Sequence, residues 1–398
     1  MLNTFFSPWP SFSAEEAEAV KQVLLSNRVN YWTGQECREF ECEFAGWCGS
    51  DYAVALGNGT QALELALHAL GVGPGDEVIT TPRTFIASAS SIVMVGAKAV
   101  FADVDLNSGN ITAESITAVL TARTKAVIVV HLAGFPADMD PIMQLADEHG
   151  FKVIEDCAQA HGARYKGHSV GTIGHIGAWS FCQDKIMTTG GEGGMVTTND
   201  KDLWSRMWSF KDHGKSYAAV YDRAHAPGFR WLHESFGTNA RMLEMQAVIG
   251  RLQLKRMTEW TAARHHNAAA IDAMAKRFAA VRTVAVPDDC LHACYKHYLY
   301  VQPDKLGAGW SRDRILEAIT ENGVPCYQGS CSEVYLEKAF DADELRPATR
   351  LPNARQLGET SLMFLVHPTL TETEIQKTGE VLAAVLGVAT APWSQQRG

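Results

Sequence analysis

From Ala53 to about Asn199 the chain alternates short apolar, β-branched runs with stretches whose apolar residues recur at helical spacing. "YAVAL" (52–56), "EVITT" (77–81), "AVFADV" (99–104), "KAVIVVHL" (125–132) and "FKVIEDC" (151–157) predict strands, and "GAWSF" and "GMVTT" predict two more. "TQALELALHAL" (60–70) sets Leu63, Leu67 and Leu70 on one helix face. A second helix is expected over about 84–95. A third, "DPIMQLADEHG" (140–150), stops at Gly150, a residue suited to a left-handed cap. This alternation implies right-handed βαβ units, so the fold class is α/β with a mostly parallel central sheet and helices on both faces.

Ligands on such sheets sit at the carboxyl ends of the strands. The residues to watch are therefore Gly57–Gln61, Thr81–Phe85, His131, Asp156–Gln159 and Ser180–Lys185. From Met242 to Ala269 the pattern is long and helical and predicts a connecting helix. Beyond about Arg282 come strand-like pieces, "HYLYVQ" and "VPCYQG", and a last helix, "TETEIQKTGEVLAAVLG". Two domains are expected: 1–255, a large domain with an N-terminal segment, and 256–398, a smaller α+β domain. The final "ATAPWSQQRG" reads as a frayed tail.

A length of 398 residues suits two domains rather than one core. A net charge of −10 argues against a nucleic-acid partner. The nine cysteines have no zinc spacing and fit reduced thiols in the cytoplasm, so no metal is expected. The N-terminus lacks the pattern of a signal peptide, and no apolar run reaches the length of a membrane span, so no membrane partner is expected.

Three strand-end motifs carry chemistry. In "ALGNGTQAL" a strand meets Gly57-Asn58-Gly59-Thr60 and then a helix, whose first N–H groups and dipole favour an anion such as phosphate. The same pattern also serves ordinary strand–helix turns. In "VIEDCAQAHG" the carboxylates of Glu155 and Asp156 point to opposite faces of a strand. One is expected to be solvated or capping, and the other to enter the site, where it would hold a cationic ring nitrogen. Third, Lys185 lies five positions after Ser180 and precedes the glycine-rich run Gly190–Gly194, which keeps bulk away from it. A lysine shielded from water is a nucleophile for carbonyls. A phosphate cradle, a ring-nitrogen carboxylate and an imine-forming lysine are what pyridoxal 5'-phosphate (PLP) requires.

"YWTG", "GNGTQALELAL", "GPGDEVITTPRTFIASA", "HLAGFPADMD", "VIEDCAQAHGARYKG", "TTGGEGGMV" and "NARMLEMQAVIG" resemble the nucleotide-sugar aminotransferases of the DegT/DnrJ/StrS type, from about Asn30 to His367. The resemblance implies a fold-type I PLP-dependent transferase. It places the cofactor on Lys185, the pyridine nitrogen on Asp156 and the ring hydroxyl near Gln159. Gly59, Thr60, the backbone of Gln61 and Ser180 would hold the phosphate, and Phe85 would stack on the ring. Asn239 would reach the phosphate in a partner subunit, which implies a homodimer with shared active sites. It also implies transfer of an amino group from an amino-acid donor, by analogy L-glutamate, to a nucleotide-linked keto-sugar, with pyridoxamine phosphate as intermediate. Lys185 would move the proton between donor and cofactor.

Two segments depart from the family pattern: "CQDK" where the family often has "HPTK", and "GVPCYQGSCSEVYLEKAF" in the small domain. Both are expected to border the sugar, with Tyr327 and His367 as candidate substrate contacts. Relatives that work as PLP- or pyridoxamine-dependent sugar dehydratases replace the lysine with histidine, and here Lys185 is present. A non-catalytic PLP-binding protein and a PLP lyase or decarboxylase are further alternatives, because fold does not fix function.

Overall fold

Parallel strands covered on both faces are near-continuous apolar runs, and the chain folds accordingly. The computed structural model describes residues 5–341 and 345–390. The first half carries β1 (Tyr52–Leu56), β2 (Glu77–Thr80), β3 (Lys98–Phe101), β4 (Thr124–Val130), β5 (Lys152–Asp156), β6 (Arg164–Tyr165), β7 (His168–Ser169), β8 (Ile176–Ser180) and β9 (Gly194–Thr198). Seven of these form one sheet in the order β1-β9-β8-β5-β4-β2-β3. Only β9 runs against its neighbours; the remaining pairs are parallel.

The period of two along β1 splits its residues between two cores. Val54 and Leu56 join the core under the helix Gly59–Ala69, with Leu63 and Ile92. Ala53 and Ala55 join the opposite one, with Phe40, Phe44 and Trp179. The helix expected to stop at Gly150 runs from Met139 to His149, with Gly150 at φ 76° as its cap. The helix expected over 84–95 begins only at Ala87. Ahead of it, the Thr84 N–H donates to the carbonyl of Cys331 (3.1 Å), which holds that stretch as a loop.

The second half contains β10 (Val281–Arg282), β11 (Cys290–Leu291), β12 (His297–Val301), β13 (Cys326–Tyr327) and β14 (Ser361–Phe364). Four of them form an antiparallel sheet, β10-β12-β14-β13. The helices Arg312–Glu321 and Glu372–Ala389 share its core. Strand β11 pairs with β6 of the first half.

The single long helix expected from Met242 is two helices, Glu244–Leu254 and Met257–Ala275. The break at Lys255–Arg256 lets each pack on a different partner: the first against Glu36–Cys48, the second against Glu372–Ala389. Arg256 at the break pairs with Glu15 (3.0 Å) and Glu16 (3.2 Å). The N-terminal segment crosses to the second half, where the Ser7 hydroxyl donates to Glu374 (3.1 Å) and Trp9 packs edge-on against Trp260 (5.1 Å). The expected frayed tail falls almost wholly outside the described residues. No helix among the described residues is long and apolar enough to cross a membrane.

Candidate active site

The strand-to-helix turn after β1 forms an anion cradle. Asn58 caps the helix, its Oδ1 accepting the Gln61 N–H at 2.9 Å. That bond commits the Gln61 amide. The N–H groups of Gly59 and Thr60 have no partner among the described residues, as the first turn of a helix leaves them. The end of β8 closes on this turn. A Cβ on Gly59 would lie 2.5 Å from Ser180 Cβ, so only glycine brings the helix end this close to the Ser180 hydroxyl. The cradle thus offers two free amides and a hydroxyl, a set that fits a phosphate.

The glycine-rich run after Lys185 has a backbone role. Gly190 and Gly191 have φ of 88° and 129°. A Cβ on Gly194 would lie 2.3 Å from the Asn58 carbonyl oxygen, so Gly194 lets β9 pass beside the cradle.

The two carboxylates at the end of β5 divide as the strand period requires, but neither is solvated. Glu155 is fully buried. It accepts from the backbone N–H of Gly171 (2.8 Å), Ile173 (2.8 Å) and Gly174 (2.6 Å) and pairs with His131 Nε2 at 2.9 Å. His131 Nδ1 accepts the Ala137 N–H, which puts the imidazole proton on Nε2, facing Glu155. His131, Glu155 and Cys157 lie close enough together to suggest a metal site, but these bonds already commit the carboxylate and the imidazole.

Asp156 faces the other way. It accepts from the Ser88 hydroxyl (2.7 Å) and the Ala158 N–H (3.1 Å). Burial pushes its carboxyl above the usual range, while Ser88, Ala158, Lys185 and His131 pull it down. A buried carboxylate of this kind is suited to a cation. Gln159 is turned by the Ala133 N–H, which donates to its Oε1 at 2.7 Å, so its NH₂ is left to serve as the donor.

Lys185 is half-buried. Trp9 Nε1 donates to its carbonyl at 2.8 Å, and its ammonium lies 5.2 Å from the centre of the Tyr295 ring. The Tyr295 hydroxyl donates to Asp184. His161 is fully buried against Trp179 and Phe181, with neither ring nitrogen bonded. Burial, then Lys185 and Arg264, push it down to about 3, so it is a neutral imidazole.

The remaining candidates lie as follows. Phe85 is 67% exposed beside the Thr84–Ser88 turn. Asn239 is exposed, its backbone bridged to Asp212. Tyr327 is half-exposed on β13. His367 is covered by Trp9, stacked at 5.9 Å, and its Nδ1 meets the Thr369 hydroxyl at 2.9 Å. Trp9, Ser88, Arg264, Tyr295 and Lys296 also reach this region, and the sequence reading passed over them. Only Ser88 left a signal: it follows Thr84 by four positions in a stretch expected to be helical, and the two hydroxyls meet at 2.8 Å.

The solved aminotransferase from Psychrobacter cryohalolentis superposes with a TM-score of 0.95 at 65% identity, over 96% of this chain and 99% of that one. The chain is 37% identical to GDP-perosamine synthase of Caulobacter vibrioides over 95% of its length and 97% of the relative's. It is 36% identical to a UDP-N-acetyl-3-dehydro-alpha-D-glucosamine 3-aminotransferase of Acidithiobacillus ferrooxidans, over 90% of each. Residues 10–383 match the model of one family. With this sheet order, this cradle and this lysine, the chain belongs to the DegT/DnrJ/EryC1/StrS aminotransferase family, and it is a sugar aminotransferase.

Proposed function

We propose that the enzyme moves the amino group of an amino-acid donor, L-glutamate, to the keto carbon of a nucleotide-linked sugar, using PLP held on Lys185. The observation that carries this reading is Asp156: a buried carboxylate at a strand end, fixed by Ser88 and Ala158, within the field of Lys185. PLP, when bound, supplies an electron sink conjugated to the donor's α-carbon.

The protein's residues do the rest. Asp156 would hold the pyridine nitrogen protonated by a charge-assisted bond. Gly59 and Thr60 would hold the phosphate through their N–H groups, and Ser180 through its hydroxyl, with the Asn58 cap, to which the Gln61 N–H donates, beneath them. Gln159 would donate to the ring hydroxyl oxygen, and Phe85 would cover one ring face. With the cofactor bound, Lys185 Nζ would be the base that takes the proton from the donor's α-carbon and the acid that returns it. The sugar half-reaction runs the same transfer backwards. Tyr327 and His367 are proposed to border the sugar.

We place the shared site in a homodimer, with Asn239 reaching the partner's phosphate. Phe229, Trp231 and Phe236, exposed in the segment just before it, support a partner surface there. The nine free cysteines support the cytoplasm. The helix break at Lys255–Arg256 supports a domain boundary near 255/256. The nucleotide-sugar names of the relatives support the acceptor class.

The test is the absorbance spectrum of PLP-loaded protein before and after L-glutamate, without sugar. Loss of the PLP band and growth of a pyridoxamine band is expected. A spectrum unchanged by any amino acid overturns the reading.

A further inference from the structure

Three cations meet around Lys185, and local acid does not balance them. Lys296 Nζ lies 4.8 Å from the centre of the Tyr295 ring, the same ring that carries Lys185 Nζ at 5.2 Å. The two ammonium groups thus share the Tyr295 ring as a neighbour, and Lys185 acts on Lys296 electrostatically. Lys296 is half-buried and has no carboxylate at ion-pair distance among the described residues. The nearby carboxylate of Asp184 accepts the Tyr295 hydroxyl instead. Behind them Arg264 is fully buried. It donates to the carbonyls of Cys294 (3.4 Å) and Tyr295 (3.3 Å) and lies over the Trp9 ring at 5.2 Å, and its Nε and Nη2 have no hydrogen-bond partner. Burial, with Arg264 and Lys185 adding to it against Asp184, pushes the Lys296 ammonium down to about 8. Three cations beside one carboxylate are costly to desolvate unless a further anion joins them.

We propose that Lys296 is the anchor for a carboxylate of the amino-acid donor, with Arg264 supplying positive potential from behind. The inference rests on the transamination reading above. A donor whose amine replaces Lys185 on the cofactor must begin at the Lys185 nitrogen. Lys296, which shares the Tyr295 ring with Lys185, is the cation on that ring left to meet its carboxylates. Lys296 remains partly open to solvent, as an anchor for a ligand that enters and leaves must. The sequence pattern "YKHYLYV" gave no hint of it, because Lys296 precedes an ordinary strand.

The probe is glutarate, a dicarboxylate with no amine to transfer, binding to PLP-loaded protein in a calorimeter. Lys296→Gln should weaken it roughly ten- to a hundredfold, with the absorbance of the bound cofactor unchanged. Lys296→Arg should restore most of the affinity. In the donor half-reaction, Lys296→Gln should raise the KM for L-glutamate more than it lowers kcat. On unaltered protein, glutarate should protect Lys296 from acetylation, read by peptide mass spectrometry, whatever the variants do. Equal glutarate affinity in Lys296→Gln, absence of protection, or a KM effect confined to the nucleotide sugar overturns the proposal. If glutarate binds through Lys296 while L-glutamate gives up no amino group, the donor assignment fails and the carboxylate site stands.

Discussion

The two walls of the pocket follow opposite rules. On the wall made by the ends of β1, β5 and β8 most side chains are hydrogen-bonded within the protein, Asp156 to Ser88 and Ala158, Gln159 to Ala133 and the Asn58 cap to Gln61, while the Gly59 and Thr60 amides and the buried Gln61 Oε1 have no partner among the described residues. The facing wall brings together Trp9, Arg264, Tyr295, Lys296 and His367, with His161 beneath, and leaves five buried nitrogens unpartnered: both of His161, two of Arg264 and one of His367. Unpaired buried polar atoms are rare in proteins and mark places where water or a ligand completes the set. The first wall fixes its side chains through bonds within the protein. The second keeps buried nitrogens without a protein partner.

The largest effect expected from breaking this division is at the residue between the walls. Lys185→Ala should abolish transfer. Loss of the proton-shuttling role alone costs about 10²–10⁴-fold, and loss of the imine link adds to it. Amino transfer from L-glutamate measures this, and a variant within tenfold of the parent would remove Lys185 from the chemistry. Next come the adjacent carboxylates. Asp156→Asn should lower kcat by about 10²–10³-fold, the loss typical of removing one electrostatic stabiliser, while urea unfolding changes little. Glu155→Gln should do the reverse. It puts an amide where three backbone N–H groups converge and should cost about 1–3 kcal/mol of stability, with kcat largely kept in the folded fraction. Equal behaviour of the two variants would erase the distinction.

Gly59→Ala is the sharper probe of the first wall. Its Cβ would meet Ser180 Cβ at 2.5 Å, so the helix end must retreat, at a cost of about 1–3 kcal/mol. The expected result is weaker PLP retention on dialysis together with a lower unfolding midpoint. Retention equal to the parent's would show that the close approach of helix and strand is not what holds the phosphate.

What could be read in advance follows the same division. The first wall lies in short sequence neighbourhoods, 57–61, 84–88 and 156–159, where strand period and helix start fix which atoms converge. Its strands and the Gly150 cap were therefore legible from pattern alone. The opposite faces of Glu155 and Asp156 were also legible, but not that both are buried, because Glu155's partners at 171–174 come from a loop with no periodic signal. The second wall joins residues from both ends of the chain. Trp9 bonds the Lys185 carbonyl across 176 positions, and no spacing rule links them. The break at Lys255–Arg256 was missed because helix propensity is continuous there, while tertiary packing on two different partners sets the bend.

The smallest effect expected is a slope. His161 and His367 are both pushed down to about 3, mainly by burial and then by neighbouring cations: Lys185 and Arg264 for His161, Arg264 and Lys296 for His367. An unfolded histidine titrates near 6.5. Between about 6.5 and 3 the unfolded chain therefore holds a proton that the folded protein excludes. The neutral rings' contribution to stability is present above that window and lost as pH falls through it, by up to about 1.4 kcal/mol per pH unit for each group. Asp156 acts in the opposite sense in the cofactor-free protein. Its raised carboxyl binds a proton more tightly when folded, so its contribution is lost as pH rises through the folded value. The two trends overlap in acid, and a parent pH profile cannot separate them. A difference can: the stability of the parent minus that of His161→Phe, from urea midpoints at pH 5, 6 and 7, should grow with pH and level off near neutrality. A difference that stays flat would mean that His161 finds a proton partner in solution, and the second wall would then be satisfied like the first.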